Sequence, residues 1–114
     1  MLASKNKLTL NKDFDYVKKN GKVFHSKSFT VSYAKSSKDE DSLRFGFIVS
    51  TKIAKEAVAR NKVKRGLREG VRQKVSIMQK GYDIVFIAHD VSVKAYTSDL
   101  MKEVEESLKK IKLL

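Results

Sequence analysis

The 114-residue chain contains no cysteine, proline or tryptophan, and it has only 13 acidic residues against 25 basic ones. The lack of cysteine excludes disulfide bridges and thiolate metal sites. No apolar stretch approaches the roughly 20 residues that a membrane-spanning helix needs. The first residues also lead into no apolar run of signal-peptide length, so the sequence predicts neither a membrane protein nor a secreted one.

The rest of the composition suits one folded domain with a polyanionic partner. A hydrophobic content of 41% over residues 1–114 allows a single modest core. The formal net charge of +12 favours nucleic acid or an anionic membrane surface as the partner. All five arginines lie between Arg44 and Arg72. Because arginine binds phosphate through a planar pair of donors, we expect recognition in this segment.

Hydrophobic periodicity predicts helices alternating with strands. The first predicted elements are a helix at 12–19, which Asn11 caps and which turns Phe14 and Val17 inward, and a short edge strand at 22–24. Two strands follow, from Ser28 and from Leu43, and a hairpin loop at 35–42 joins them. The remaining elements are a helix at about 55–79, a buried strand at 82–88, and a last helix that Thr97 or Ser98 caps. This order indicates an α+β fold in which helices pack on a mixed sheet in two layers.

Four residues within these elements carry structural predictions of their own. Gly46, between two phenylalanines of a strand, predicts a bulge or a close approach to the backbone. Gly66 and Gly70 border the apolar side of the long helix and predict its close approach to the sheet. Asp83 opens the buried strand and is predicted to cap a turn.

The most informative segment is the basic part of the long helix. On a helical wheel at about 100° per residue, one arc is nearly all cationic and holds Asn61, Lys64, Arg65, Arg68 and Arg72. A solvated helix face is the ordinary explanation of such a run. Here, however, like charges repel at i,i+4 spacing and only Glu56 and Glu69 are available as partners, so a polyanion would relieve the repulsion. The adjacent apolar side is too small for a helix lying in lipid, which leaves nucleic acid as the favoured partner.

No active site formed by the protein alone is predicted. His25 and His89 are the only histidines, and we interpret each as a surface or strand-end residue because they lie far apart in the chain. The acidic run 39–41 fits a solvated loop tip better than a metal site. The chain has no phosphate-binding loop and no dinucleotide-binding glycine motif. We therefore predict no catalytic residue, no metal ligand and no small-molecule substrate.

The residues around the basic helix resemble the bacterial ribonuclease P protein family. The matching series comprises residues 44–53 (RFGFIVSTKI), residues 60–69 (RNKVKRGLRE) and the opening at 8–21 with its Asp13-Phe14 pair. The resemblance spans nearly the whole chain in order and size. It implies the order α-β-β-β-α-β-α with a left-handed β-α-β crossover.

The resemblance also implies a role beside a catalytic RNA. Proteins of this family assist a large RNA that removes the 5′ leader from precursor tRNA, and that RNA with its bound Mg²⁺ performs the hydrolysis. The implied partners are the ribonuclease P RNA and the leader, and the implied location is the cytoplasm. The predicted RNA-binding residues are Lys52, Arg60, Asn61, Lys62, Lys64, Arg65, Arg68 and Arg72.

A leader cleft between the first helix and the sheet is the second implied site. Phe14 matches one of its aromatic positions and would stack on a base. Two further positions, often aromatic in the family, are Lys18 and Ser32 here, while Tyr16 and Tyr33 are expected to point elsewhere. Leader binding is therefore expected to be more ionic and less stacked. From the residues alone, a structural RNA-binding module of ribosomal or RNA-chaperone type explains the charge equally well.

Overall fold

A computed structural model describes residues 2–114, and the helices and strands follow the predicted order. They are α1 (Asn11–Asn20), β1 (Lys22–His25), β2 (Phe29–Lys35), β3 (Leu43–Ile48), α2 (Ala57–Arg72), β4 (Tyr82–Ala88) and α3 (Thr97–Lys110). Short 3₁₀ turns lie at Ser4–Asn6, Val75–Ile77 and Asp90–Lys94. Within residues 2–114, no helix combines the length and the apolar character needed to cross a membrane.

The strands of the described chain form one mixed sheet in the order β1-β2-β4-β3. β2 pairs antiparallel with β1 and β4, whereas β3 pairs parallel with β4. The hairpin predicted at residues 35–42 is therefore wrong, because β4 lies between the two strands that this loop connects. The apolar run of β4 is buried on both faces, which suits an inner strand. The β3-α2-β4 connection is the expected crossover, and its left-handed sense stays a prediction.

Helices α2 and α3 cover one face of the sheet and enclose the main core. Alternate strand positions such as Phe29, Phe45 and Phe86 face them. The helices contribute Val63, Leu67, Val71, Leu100, Val104 and Leu108, each at most 2% exposed. The apolar side predicted on the long helix and the α+β class with a mixed sheet are confirmed, whereas helices lie on both faces of the sheet.

Helix α1 lies on the opposite face and covers only part of it. Val17 is fully buried in a small cluster with Ala34 and Val85. The ring of Phe14 lies directly on the backbone of Gly46, where a methyl group would come within 2.3 Å of Phe14 Cε1. The close approach predicted at Gly46 is thus confirmed, and an aromatic ring from α1 makes it.

Gly66 and Gly70 allow α2 to pack closely on α3, whereas the sequence predicted close packing on the sheet. A methyl group on Gly66 would lie 3.1 Å from Leu100 Cδ1, and one on Gly70 would lie 3.0 Å from Val104 Cβ. The wheel shows that these glycines border the apolar side of α2, but it does not show which neighbour packs there. The predicted partner was therefore wrong.

The predicted helix ends also need correction. Asn11 is the first residue of α1 and makes no capping hydrogen bond, because Leu10 occupies the extended capping position. Tyr96 takes that position before α3, so Thr97 is not the cap. α2 ends at Arg72, well before residue 79, since the chain then turns to bury Met78 in the core.

Candidate nucleic-acid interface

The cations of α2 lie on the side of the helix that faces away from the main core. Asn61, Lys62, Arg65 and Arg72 are exposed, and Arg60, Lys64 and Arg68 are half-buried. Lys52 is exposed in the loop that leads from β3 into α2. The structure therefore brings all eight predicted RNA-binding residues to one helix and the loop before it.

Arg60 holds the loop before α2 in place. One guanidinium nitrogen, Nη1, donates to the carbonyl oxygens of Ala54 at 2.8 Å and Lys55 at 2.6 Å. These bonds fasten the end of the loop that carries Lys52 to the first turn of α2. Arg60 is thus a positioning residue for the basic surface, a role that the sequence pattern did not reveal.

Arg68 lies against the edge strand β3. Its guanidinium carbon is 5.8 Å from the centroid of the Phe47 ring, within the range of a cation–π contact. Phe47 in turn stacks on Phe86, with centroids 5.6 Å apart. The positive charge of Arg68 is therefore held at the sheet edge rather than moving freely in solvent.

Arg72 differs from the other cations of α2 because it pairs with a carboxylate on its own helix. Its Nε donates to Glu69 Oε1 and Oε2 at 3.1 and 3.0 Å, and Nη2 lies 2.9 Å from Oε2. The hydrogen bond from Arg72 lowers the pKa of Glu69. Arg72 is consequently less available to an external phosphate than the exposed Arg65.

A buried ion bridge fixes α1 over the sheet. Arg44 of β3 donates from Nε and Nη2 to the two carboxylate oxygens of Asp83 on β4, at 3.0 and 2.9 Å. Its Nη1 reaches Asp13 of α1 at 3.4 Å. The hydrogen bond to Asp83 is the main cause of a raised pKa at Arg44. Asp83 is completely buried, so the turn-capping role predicted for it is wrong.

Beyond this bridge, a groove stays open between α1 and the sheet. Strand register places two rows of side chains on this face, because paired residues point the same way. The first row is Gly46, Val85, Ser32 and Val23, and the second is Ile48, Ile87, Thr30 and His25. Val23 and Ile48 are 53% and 39% exposed. A shallow pocket of about 400 Å³ beside Ile48 is lined also by Asn11, Phe14 and Asp15.

The structure brings the three predicted cleft residues to this groove. Phe14 is half-buried and lines the pocket, while Ser32 is buried in the first row of the floor. Lys18 is exposed one turn further along α1, on the same side as Phe14. Tyr33 faces the main core, as expected, whereas Tyr16 packs against the same small cluster under α1 as Phe14.

The two histidines, which the sequence placed far apart, meet at one hydroxyl group. Thr30 Oγ1 lies 2.6 Å from His89 Nε2 and 3.2 Å from His25 Nδ1. The backbone N–H of His89 donates to the carbonyl of Ser28, which draws the end of β4 to the turn after β1. Among residues 2–114, no three side chains of the histidine, aspartate or glutamate type gather as a metal site.

Comparison with known proteins shows what this chain is similar to. The family model described as Ribonuclease P matches residues 2–112. The ribonuclease P protein component of Caldanaerobacter subterraneus subsp. tengcongensis is 36% identical over 107 residues, which is 94% of this chain and 90% of the relative. The corresponding Clostridioides difficile protein is 36% identical over 104 residues, 90% of this chain and 89% of the relative.

Solved structures show the same fold. The Staphylococcus aureus RNase P protein superposes with a TM-score of 0.85 at 30% identity, covering 94% of this chain and 95% of that one. The RNase P protein from Thermotoga maritima gives a TM-score of 0.79 at 30% identity, with 94% and 98% covered.

Proposed function

Because the chain belongs to the ribonuclease P protein family, we propose that it is the accessory protein subunit of an RNA-based endoribonuclease. Membership implies a part in tRNA processing and a ribonuclease P RNA as partner. In the proposal, this protein binds that RNA and the 5′ leader of precursor tRNA in the cytoplasm, and the RNA performs the cleavage.

The observation that carries the proposal is the cationic face of α2 beside the edge strand β3. Arg65 is fully available there, Arg60 fixes the loop that carries Lys52, and Arg68 is oriented by Phe47. Such a surface matches the phosphates of a folded RNA, where each contact releases a condensed counterion. Like-charge repulsion along the helix, which destabilises the free protein, is relieved in the complex.

The groove between α1 and the sheet suits a single RNA strand. The Phe14 ring offers an aromatic surface on which a base stacks, and Lys18 offers a point charge for a phosphate. Ser32 stands in place of a second ring and is buried, so the floor offers no stacking surface there. The leader is therefore held by one stacking position and by ionic contacts.

Hydrolysis in this proposal is performed by the RNA and by Mg²⁺ ions bound mainly to it. The contribution of the protein is electrostatic and geometric. Its net charge of +12 offsets the repulsion between the phosphates of enzyme RNA and substrate. Its groove aligns the leader so that the scissile bond meets the catalytic core of the RNA.

The test is cleavage of precursor tRNA at low Mg²⁺ by a bacterial ribonuclease P RNA alone, by the protein alone, and by both together. Cleavage at the mature 5′ end only with both supports the proposal. Arg65→Glu should remove the stimulation, whereas Lys110→Glu, the same charge change at the end of α3, should retain it. Cleavage by the protein alone would overturn the assignment of chemistry to RNA. Tight binding without stimulation, and without preference for ribonuclease P RNA over other folded RNAs, would indicate a general RNA-binding module.

A further inference from the structure

We propose that His25, Thr30 and His89 form a binding site for a backbone phosphate of the RNA strand in the groove, and that the site binds more tightly when both histidines are protonated. This inference rests on the proposed function, since it assumes that the groove holds the leader. It adds a contact at the β1 side of the groove, away from Phe14, together with a dependence on pH.

The three side chains lie in the open part of the sheet face. Thr30 and His25 end the second row of the groove floor, and His89 follows the last residue of β4. His25 is exposed, and Thr30 and His89 are half-buried, so a ligand in the groove reaches all three. Three strand spacings separate His25 from Ile48, so about 14 Å of floor lies between the site and the pocket beside Phe14.

The hydrogen bonds at Thr30 explain why protonation matters. A hydroxyl has one proton to donate and two lone pairs that accept. When both rings are neutral, each has a single N–H, so a ring that donates to Oγ1 has no proton on its outer nitrogen and offers an anion no donor. When both rings are protonated, His25 Nδ1 and His89 Nε2 both donate to Oγ1. The Thr30 proton is then free to turn toward the groove.

The protonated cluster presents three donors and two positive charges to an anion. The donors are the Thr30 hydroxyl, His25 Nε2 and His89 Nδ1. Hydrogen bonds from charged donors to phosphate are shorter and stronger than neutral ones.

Charged groups around the cluster leave it open to an anion. His25 lines a pocket with side chains of α3, so charges of both signs surround the cluster. The cations are Lys27, Lys94, Lys102 and Lys110, and the acids are Asp15, Asp90, Asp99, Glu103 and Glu106. Glu103 already accepts bonds from the Ser26 hydroxyl and the Ser28 N–H. Asp15 lies at the far end of the row, beside Ile48. Asp90, Asp99 and Glu106 therefore oppose an anion, and Lys27, Lys102 and Lys110 offset them.

The experiment measures the affinity of the reconstituted RNA–protein enzyme for precursor tRNA and for the same tRNA without its leader, between pH 8 and pH 5.5. The ratio of the two affinities isolates the leader, because pH effects on the tRNA body cancel. We expect this ratio to rise about tenfold toward pH 5.5, the equivalent of one charge-assisted hydrogen bond. A leader with a neutral methylphosphonate at the contacted linkage should lose the rise.

Variants separate the site from general electrostatics. The double variant His25→Gln/His89→Gln and the single variant Thr30→Val should abolish the rise, and Thr30→Ser should restore it. Lys80→Gln removes an exposed cation at the opposite end of β4 and should keep the rise. Circular dichroism melting of each variant verifies that it is folded.

The outcomes distinguish this inference from the proposed function. A leader preference that is large at every pH and unchanged in the variants overturns the histidine site and leaves the proposed function intact. A ratio of one at every pH shows that the leader is not bound, and both ideas then fail. A third outcome concerns leaders in which one linkage at a time is a neutral methylphosphonate. If the affinity ratio still rises toward pH 5.5 with each of these leaders, a phosphate is excluded as the ligand.

Discussion

Replacing Gly46 with alanine is expected to displace the Phe14 ring from the sheet. The new methyl group would lie 2.3 Å from Phe14 Cε1 and 2.6 Å from Cζ, far inside van der Waals contact. The helix cannot simply move away, because Val17 is buried and Asp13 is bonded to Arg44. Because the half-buried ring can turn toward the neighbouring pocket, the cost should lie near the lower end of the about 1–3 kcal/mol that overpacking takes from the unfolding free energy.

The effect of Gly46→Ala on the free energy of unfolding should reverse its sign once the Phe14 ring is removed. The backbone of Gly46 does not have positive φ, so alanine fits its conformation. In a Phe14→Ala background, Gly46→Ala should therefore stabilise the protein by about 0.4–1 kcal/mol, through the reduced entropy of the unfolded chain. Urea unfolding of the four proteins gives the coupling energy directly. Equal destabilisation in both backgrounds would refute the contact.

The same substitution should separate the two RNA-binding surfaces. Gly46→Ala alters the stacking position in the groove but leaves α2 untouched. We expect a weaker preference for leader-bearing precursor tRNA and an unchanged affinity for the ribonuclease P RNA. Parallel titrations with the two RNAs measure both effects. A loss of affinity for the ribonuclease P RNA alone would show that Phe14 does not serve the leader.

Three further substitutions test other parts of the structure. Arg65→Glu should weaken RNA binding and reduce the slope of log K against log salt by about one, without lowering the Tm of the protein. An unchanged slope would contradict an ionic contact between Arg65 and the RNA. Asp83→Ala leaves Arg44 without its buried partner and should cost about 3–5 kcal/mol in urea unfolding, whereas a cost near zero would show that the bridge does not hold the fold. The hydrogen bond from Lys74 lowers the pKa of Glu105 below its ordinary value of 4.5. The stabilisation by Glu105 is thus present above that pH and lost in stronger acid, so Glu105→Gln and wild-type stabilities should converge on acidification rather than diverge.

Local periodicity explains why so much of the fold was predictable. The apolar spacing of Val63, Leu67 and Val71 and the alternation along β2 and β3 depend only on residues close in sequence. The same holds for the cationic arc of α2, whose members are brought together by one helix. The prediction of Phe14 at the groove came from the family resemblance and not from periodicity.

Pairings between distant residues could not be predicted in the same way. Whether Asp83 caps a turn or binds Arg44 depends on β3 and β4 being parallel neighbours in one particular register. The meeting of His25 and His89 likewise needs β2 to lie between β1 and β4. Nothing in the spacing of these residues encodes the strand order, so the ion bridge and the histidine pair emerge only in three dimensions.

The inner position of β4 governs when the molecule acquires its shape. The chain is synthesised from its N-terminus, so β2 and β3 are made well before residues 82–88, which fill the gap between them. Until then each strand has an unpaired inner edge, and α2 lacks α3, the helix on which Gly66 and Gly70 pack closely. Closing such long-range pairings is slow compared with forming a helix. The basic helix therefore becomes a rigid surface only when both β4 and α3 are in place, so binding of the RNA to the finished surface follows completion of the whole fold.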